Sequence, residues 1–159
     1  MEVKETLKGV PGLLRPFKKF LEDENLSENS QIVFYGCPGT CLPFIELIAF
    51  AIRSLPVKCI FVPFLEEEKA AALTIIDGMG AQINPGKVKP DPKVVVIMGG
   101  LSMPNIPVTA EDTLNTISKY DAKVVGICFM EMLEKEGWTE KINFDMIIDA
   151  AIDPVKVYR

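Results

Sequence analysis

No histidine occurs anywhere in the chain, and only one tryptophan is found among its 159 residues. The missing imidazole excludes a His-dependent catalytic triad and a His-ligated zinc, since histidine is the commonest general base near neutral pH and the commonest nitrogen ligand. Positive charge is also short, with 17 Lys and Arg against 22 Asp and Glu and a net charge of −5. The nearest thing to a basic run, Lys18-Lys19, is followed in the same segment by Glu22-Asp23-Glu24. Like charges repel a phosphate backbone, so no nucleic-acid partner is expected. Long apolar runs are lacking as well. The most apolar stretch, residues 42–55, contains Glu46, Arg53 and Ser54 and falls short of the ~20 residues that a membrane-spanning helix needs. Residues near the N-terminus include Glu2, Glu5 and Pro11, with no apolar core of the signal type. Together with only four cysteines, these features predict reduced thiols, a cytoplasmic location and no membrane partner.

What is present is a large apolar fraction, 48%, enough for one folded domain of this length. Residues 1–30 read as a helical segment packing on the domain, with Val10, Leu13, Leu14, Phe17, Phe20 and Leu21 at helical spacing. Residues 31–159 read as the α/β domain itself. Short apolar runs predict strands at 31–35, 57–62, 93–98 and 122–129, with a brief one at 81–84. Alternation from Phe144 predicts a half-exposed edge strand that places Asp145, Asp149 and Asp153 on one face, and residues 155–158 suggest a further short strand. Helices are expected at 42–55, 65–77, 109–119 and 131–136. The 109–119 helix has Thr109 and Asp112 at capping-box spacing.

Strands alternating with helices imply a mostly parallel sheet. The expectation is a three-layer Rossmann-like α/β fold of five or six strands flanked by helices. The favoured strand order is 3-2-1-4-5-6, with a flavodoxin-like order left open. The helix at 42–55 is apolar on nearly every side, so its outer side must be covered. Either the N-terminal helix or a second copy, giving a homo-oligomer, would do this.

In such sheets ligands bind beyond the carboxyl ends of strands, where the strand order reverses. Two glycine-containing turns fall there, Gly36-Cys37-Pro38-Gly39-Thr40-Cys41 and Gly99-Gly100-Leu101-Ser102. Bare backbone and a following helix N-terminus favour a small anionic ligand or cofactor, held by Gly36, Cys37, Gly39, Thr40, Cys41, Gly99, Gly100 and Ser102. The plainer reading is that these glycines only make tight turns. Neither turn matches the dinucleotide fingerprint or the P-loop, so no cofactor is named.

The cysteines admit three readings. Cys37 at a strand-to-helix turn would have a lowered pKa and act as a nucleophile or redox thiol, with Cys41 or Cys128 as resolving partner. Cys37, Cys41 and Cys128 could instead supply part of a metal or cluster site, although such sites generally want four ligands. They could also be small apolar packing residues, as Cys59 is expected to be. Asp145, Asp149 and Asp153 could hold a hard cation or simply be solvated, and Glu131 could approach the carboxyl ends of the strands or simply sit in the first turn of its helix. Glu46 and Arg53 are either a buried polar pair or the exposed edge of their helix. Whether the protein is an enzyme, a binding module or an interaction subunit stays open on these grounds.

The chain resembles a family of uncharacterised archaeal proteins found chiefly in methanogens. The likeness is carried by Gly9-Val10-Pro11-Gly12, the Gly36–Cys41 turn and Val94-Val95-Val96-Ile97-Met98-Gly99-Gly100-Leu101. The resemblance implies a cytoplasmic archaeal protein and supplies no substrate, cofactor or catalytic residue.

Overall fold

A computed structural model describes residues 2–159. Its described residues form one sheet of seven strands, in the order β4-β3-β2-β1-β5-β6-β7. In chain order these are β1 (Gln31–Gly36), β2 (Lys58–Pro63), β3 (Ala71–Ile76), β4 (Gly80–Asn84), β5 (Pro92–Met98), β6 (Lys123–Phe129) and β7 (Met146–Ala150). Strands β2, β1, β5, β6 and β7 pair in parallel, whereas β3 runs antiparallel to both its neighbours. The helices are α1 (Gly9–Asp23), α2 (Leu42–Ala51), α3 (Ala110–Ile117), α4 (Met132–Lys135) and α5 (Trp138–Lys141).

The central strands are continuous apolar runs because both their faces are covered. Residues 32–36 of β1 and 94–98 of β5 are all buried. Phe17 of α1 meets Phe34 edge to face, with ring centroids 6.1 Å apart. A side chain at Gly36, two residues on and on the same face, would strike Cys41 and Ile45 of the α2 region. The alternate set in register, Tyr35, Ile97 and Gly126, points the other way. Gly126 there lies under Leu133 of α4 and Phe144. Pro11 falls in the first turn of α1, but Pro16 sits inside the helix. The Thr109–Asp112 capping box of α3 is complete, with Thr109 Oγ1 accepting from the Asp112 N–H at 3.0 Å and Asp112 Oδ2 accepting from the Thr109 N–H at 3.2 Å.

The structure corrects several expectations. The helix expected at 65–77 is absent, and its place is taken by a 3-10 turn at Glu67–Lys69 and strand β3. Leu65, Lys69, Leu73 and Ile76 fit a helical period, but Thr74-Ile75-Ile76 is a β-branched run that favours extended backbone. Gly78 and Gly80, at φ of +72° and +96°, then turn the chain back into the β3–β4 hairpin. That hairpin makes seven strands rather than five or six, and inserts β3 between β2 and the strand at 80–84. The helix expected at 42–55 ends at Ala51. Residues 155–158 form no strand, and β7 stops before Asp153. Asp145 lies outside β7 too, accepting from the Val124 N–H and pairing with Lys123. The three aspartates therefore share no strand face.

Candidate functional site

Strands β1 and β5 are neighbours, and the chain leaves them in opposite directions along the sheet. The turns after them therefore meet at the reversal of strand order, on the carboxyl rim. In the first turn, the Cys41 N–H donates to the Cys37 carbonyl at 3.1 Å, closing one helical turn ahead of α2. Both cysteines are buried and free, whereas Pro38, Gly39 and Thr40 are exposed. The Cys37 thiol donates to the Gly100 carbonyl at 3.3 Å, which ties the two turns together.

The glycines divide by physical role. A Cβ on Gly100 would overlap Cys41 Sγ, one on Gly36 would lie 2.8 Å from Cys41 Cβ, and one on Gly99 would run into Cys128. These three are glycine because neighbouring atoms occupy the space a side chain would need: side-chain carbons of Cys41, Ile45 and Met98 at Gly36, Cys128 Cβ and backbone at Gly99, and the Cys41 sulfur at Gly100. Gly39 differs. Its φ is not in the left-handed range and a Cβ there would meet nothing within 4 Å. Neither strain nor crowding requires glycine at that position, so its bare backbone simply borders open solvent. Among the described residues the N–H groups of Gly39 and Thr40 have no backbone acceptor.

Other residues singled out from sequence are engaged inside the protein. The Ser102 hydroxyl is buried and donates to the Gly99 and Met132 carbonyls at 2.9 and 3.4 Å, so it is not turned toward the rim. Cys128 points to the sheet face covered by α4, two residues on from Gly126, and its thiol donates to Asp149 Oδ1 at 3.2 Å. The Cys37 and Cys41 thiols engage Gly100 and Thr40, whereas the Cys128 thiol engages Asp149. Among the described residues no three Cys, Asp or Glu side chains gather closely enough to hold a metal ion. The Glu131 N–H donates to Asp149 Oδ1, while the Glu131 side chain pairs with Lys135. Met130 and Glu131 both adopt left-handed backbone, as does Phe64 after β2, so mild backbone strain collects along the rim.

The expected lowering of the Cys37 pKa is overturned. Burial pushes this thiol up to about 11, the adjacent Cys41 adds to the rise, and the Thr40 hydroxyl acts only weakly against it. The helix potential is outweighed because the sulfur sits in the core beneath the turn, where a thiolate loses its hydration. Burial likewise raises Cys59 and Cys128 to about 12. At neutral pH Cys37 is expected to be alkylated roughly 300-fold more slowly than a free thiol of pKa ~8.5. The rate should climb steadily toward pH 11. A midpoint at or below that of a free thiol, measured by iodoacetamide kinetics and mass spectrometry, would refute the assignment.

A second polar cluster escaped the sequence reading. Tyr35, fully buried in β1, donates to Glu67 Oε1 at 2.7 Å, and Tyr120 donates to the same oxygen at 2.9 Å. Lys119 pairs with Glu67 Oε2. Partial burial opposes the Glu67 carboxylate, but the bonds from Lys119, Tyr35 and Tyr120 together outweigh it and hold its pKa below the ordinary value. A tyrosine in an apolar strand is itself a signal that a hydroxyl partner is required. The partner lies 32 residues away along the chain, beyond the reach of any local pattern.

The fold and rim define an α/β protein with a mostly parallel seven-stranded sheet, and no helix among its described residues is long and apolar enough to cross a membrane. The chain belongs to the family described as an uncharacterized protein conserved in archaea (DUF2124), whose model matches residues 8–153. It is 34% identical over 151 residues to the uncharacterized protein MJ1183 of Methanocaldococcus jannaschii, covering 94% of this chain and 89% of that one. An uncharacterized protein of Methanothermobacter thermautotrophicus is also 34% identical, over 158 residues and 96% of each chain. A crystal structure of a protein of unknown function from Methanothermobacter thermautotrophicus superposes with a TM-score of 0.88 at 30% identity, covering 100% of this chain and 99% of that one.

Proposed function

We propose that the protein binds a small anionic ligand, of the phosphate or pyrophosphate class, on the rim at residues 36–41. The arrangement is read as a three-layer Rossmann-like sheet, whose point of strand reversal is the usual place for such a ligand. The observation that carries the reading is Gly39, a glycine that neither backbone angle nor packing requires, in a turn leading into α2. Among the described residues its N–H and that of Thr40 have no backbone acceptor, Thr40 is exposed beside them, and the α2 N-terminus adds favourable potential. The buried thiols beneath form the floor, linking the turn to Gly100. The raised Cys37 pKa favours this binding reading over a thiol enzyme.

Thermal unfolding with inorganic phosphate, pyrophosphate and a nucleotide panel tests the proposal. A ligand present at 100 times its Kd stabilises by about 2.7 kcal/mol, which raises Tm by roughly 5–10 °C in a chain of this size. Gly39→Val is expected to abolish that shift while leaving the ligand-free Tm nearly unchanged. A shift that survives Gly39→Val, or a panel without any shift, would count decisively against this site.

A further inference from the structure

Helix α2 is only partly covered. Leu47 and Phe50 keep 38% of their surface exposed, and beside them the β3–β4 hairpin exposes Ile75, Ile76 and Met79. Strand β2 pairs only with residues 71–73 of β3, so the apolar far end of the hairpin projects past its neighbour. Gly80, at the start of β4, approaches Phe50. Between helix and hairpin runs a groove of about 570 Å³. Apolar surface gathered in one place on a small protein marks an interaction site.

The charges on this face indicate what covers it. Glu46 and Phe50 stand at i and i+4 on α2, and Arg53 extends the same stripe from the turn just past Ala51, where the helix ends. Neither Glu46 nor Arg53 has an ion-pair partner among the described residues. The Arg53 guanidinium lies over the Phe50 ring, 4.0 Å from its centroid, and donates to the Phe50 carbonyl at 2.8 Å. The stripe thus has an acid at one end, a base at the other and an aromatic ring near the middle. A two-fold axis passing beside Phe50 would set two such helices antiparallel. Glu46 would then meet Arg53 of the second copy, and Arg53 would meet its Glu46. In an isologous contact, any pairing made once is made twice.

We propose that the face formed by α2 and the β3–β4 hairpin is a two-fold interface with a second copy of this chain. The stripe is its own complement under a two-fold axis, which favours a second copy as the occupant.

Sedimentation velocity at micromolar protein tests the inference. Wild type is expected to be a dimer. E46R places Arg opposite Arg and R53E places Glu opposite Glu, so each alone should weaken dimerisation on the order of 100-fold. An equimolar mixture of the two variants restores opposite charges at both contacts and should form a heterodimer of near wild-type affinity. The doubly substituted chain should dimerise with itself. The mixing result also shows that both variants are folded. A monomeric wild type, single variants that dimerise normally, or a mixture that stays monomeric would overturn the interface.

Discussion

Glu67→Ala is expected to cost about 2–4 kcal/mol in stability, chiefly by stranding the Tyr35 hydroxyl in the core. That hydroxyl belongs to a fully buried residue, and leaving a buried donor unsatisfied costs about 1–3 kcal/mol. The remainder comes from the Tyr120 bond and the ion pair with Lys119, the latter half-exposed and worth less than ~1 kcal/mol. Urea unfolding at neutral pH gives the number directly. Tyr35→Phe should cost less, because Glu67 keeps Tyr120 and Lys119. Glu67→Leu combined with Tyr35→Phe should fall well short of the sum of the single effects, since no buried donor is left over. The cluster also predicts an acid dependence. The folded pKa of Glu67 is depressed, so its contribution is complete above the unfolded value of ~4.3 and is lost as pH falls through the lower folded value. In Glu67→Gln this component of acid lability should vanish. An Ala variant as stable as wild type would show that the cluster holds nothing together.

Gly99→Ala is expected to cost about 3 kcal/mol, at the upper end for overpacking. The added methyl would enter the space of Cys128 Cβ and come within 3.0 Å of its Cα. Backbone atoms cannot rotate aside as a flexible side chain can, so strands β5 and β6 would have to separate locally. Gly39→Ala, on the same rim, supplies the contrast: its methyl meets nothing within 4 Å, and its stability should stay within ~0.5 kcal/mol of wild type. Thermal melts of the two variants side by side check both values. Equal losses would mean that the rim glycines are not divided into packed and open positions.

Much of this was legible along the chain. The strands at β1, β2, β5 and β6 announced themselves as short apolar runs, and Thr109 with Asp112 announced the start of α3. The placing of the Gly36 and Gly99 turns side by side also followed from strand order. The β3 segment misled because Leu65, Leu73 and Ile76 fall at helical spacing, while the strand that forms there buries only Leu73. The deciding features were the β-branched triplet and the glycine hairpin after it. The Cys37 thiol misled for a different reason. Its position before a helix was read correctly, but its depth beneath the turn depends on β5 lying alongside.

The amino-acid order alone determined that the chain would build a mostly parallel α/β sheet, because local hydrophobic runs and turn residues act over a few neighbours. It also determined that no imidazole chemistry is available. Only the tertiary structure decided which glycines carry packed sulfur and which face solvent, where the Tyr35 hydroxyl finds its acceptor, and which flank of α2 stays open. Those outcomes depend on groups distant in the chain being brought within a few ångströms of one another. Burial then sets their ionisation and leaves some surfaces without cover.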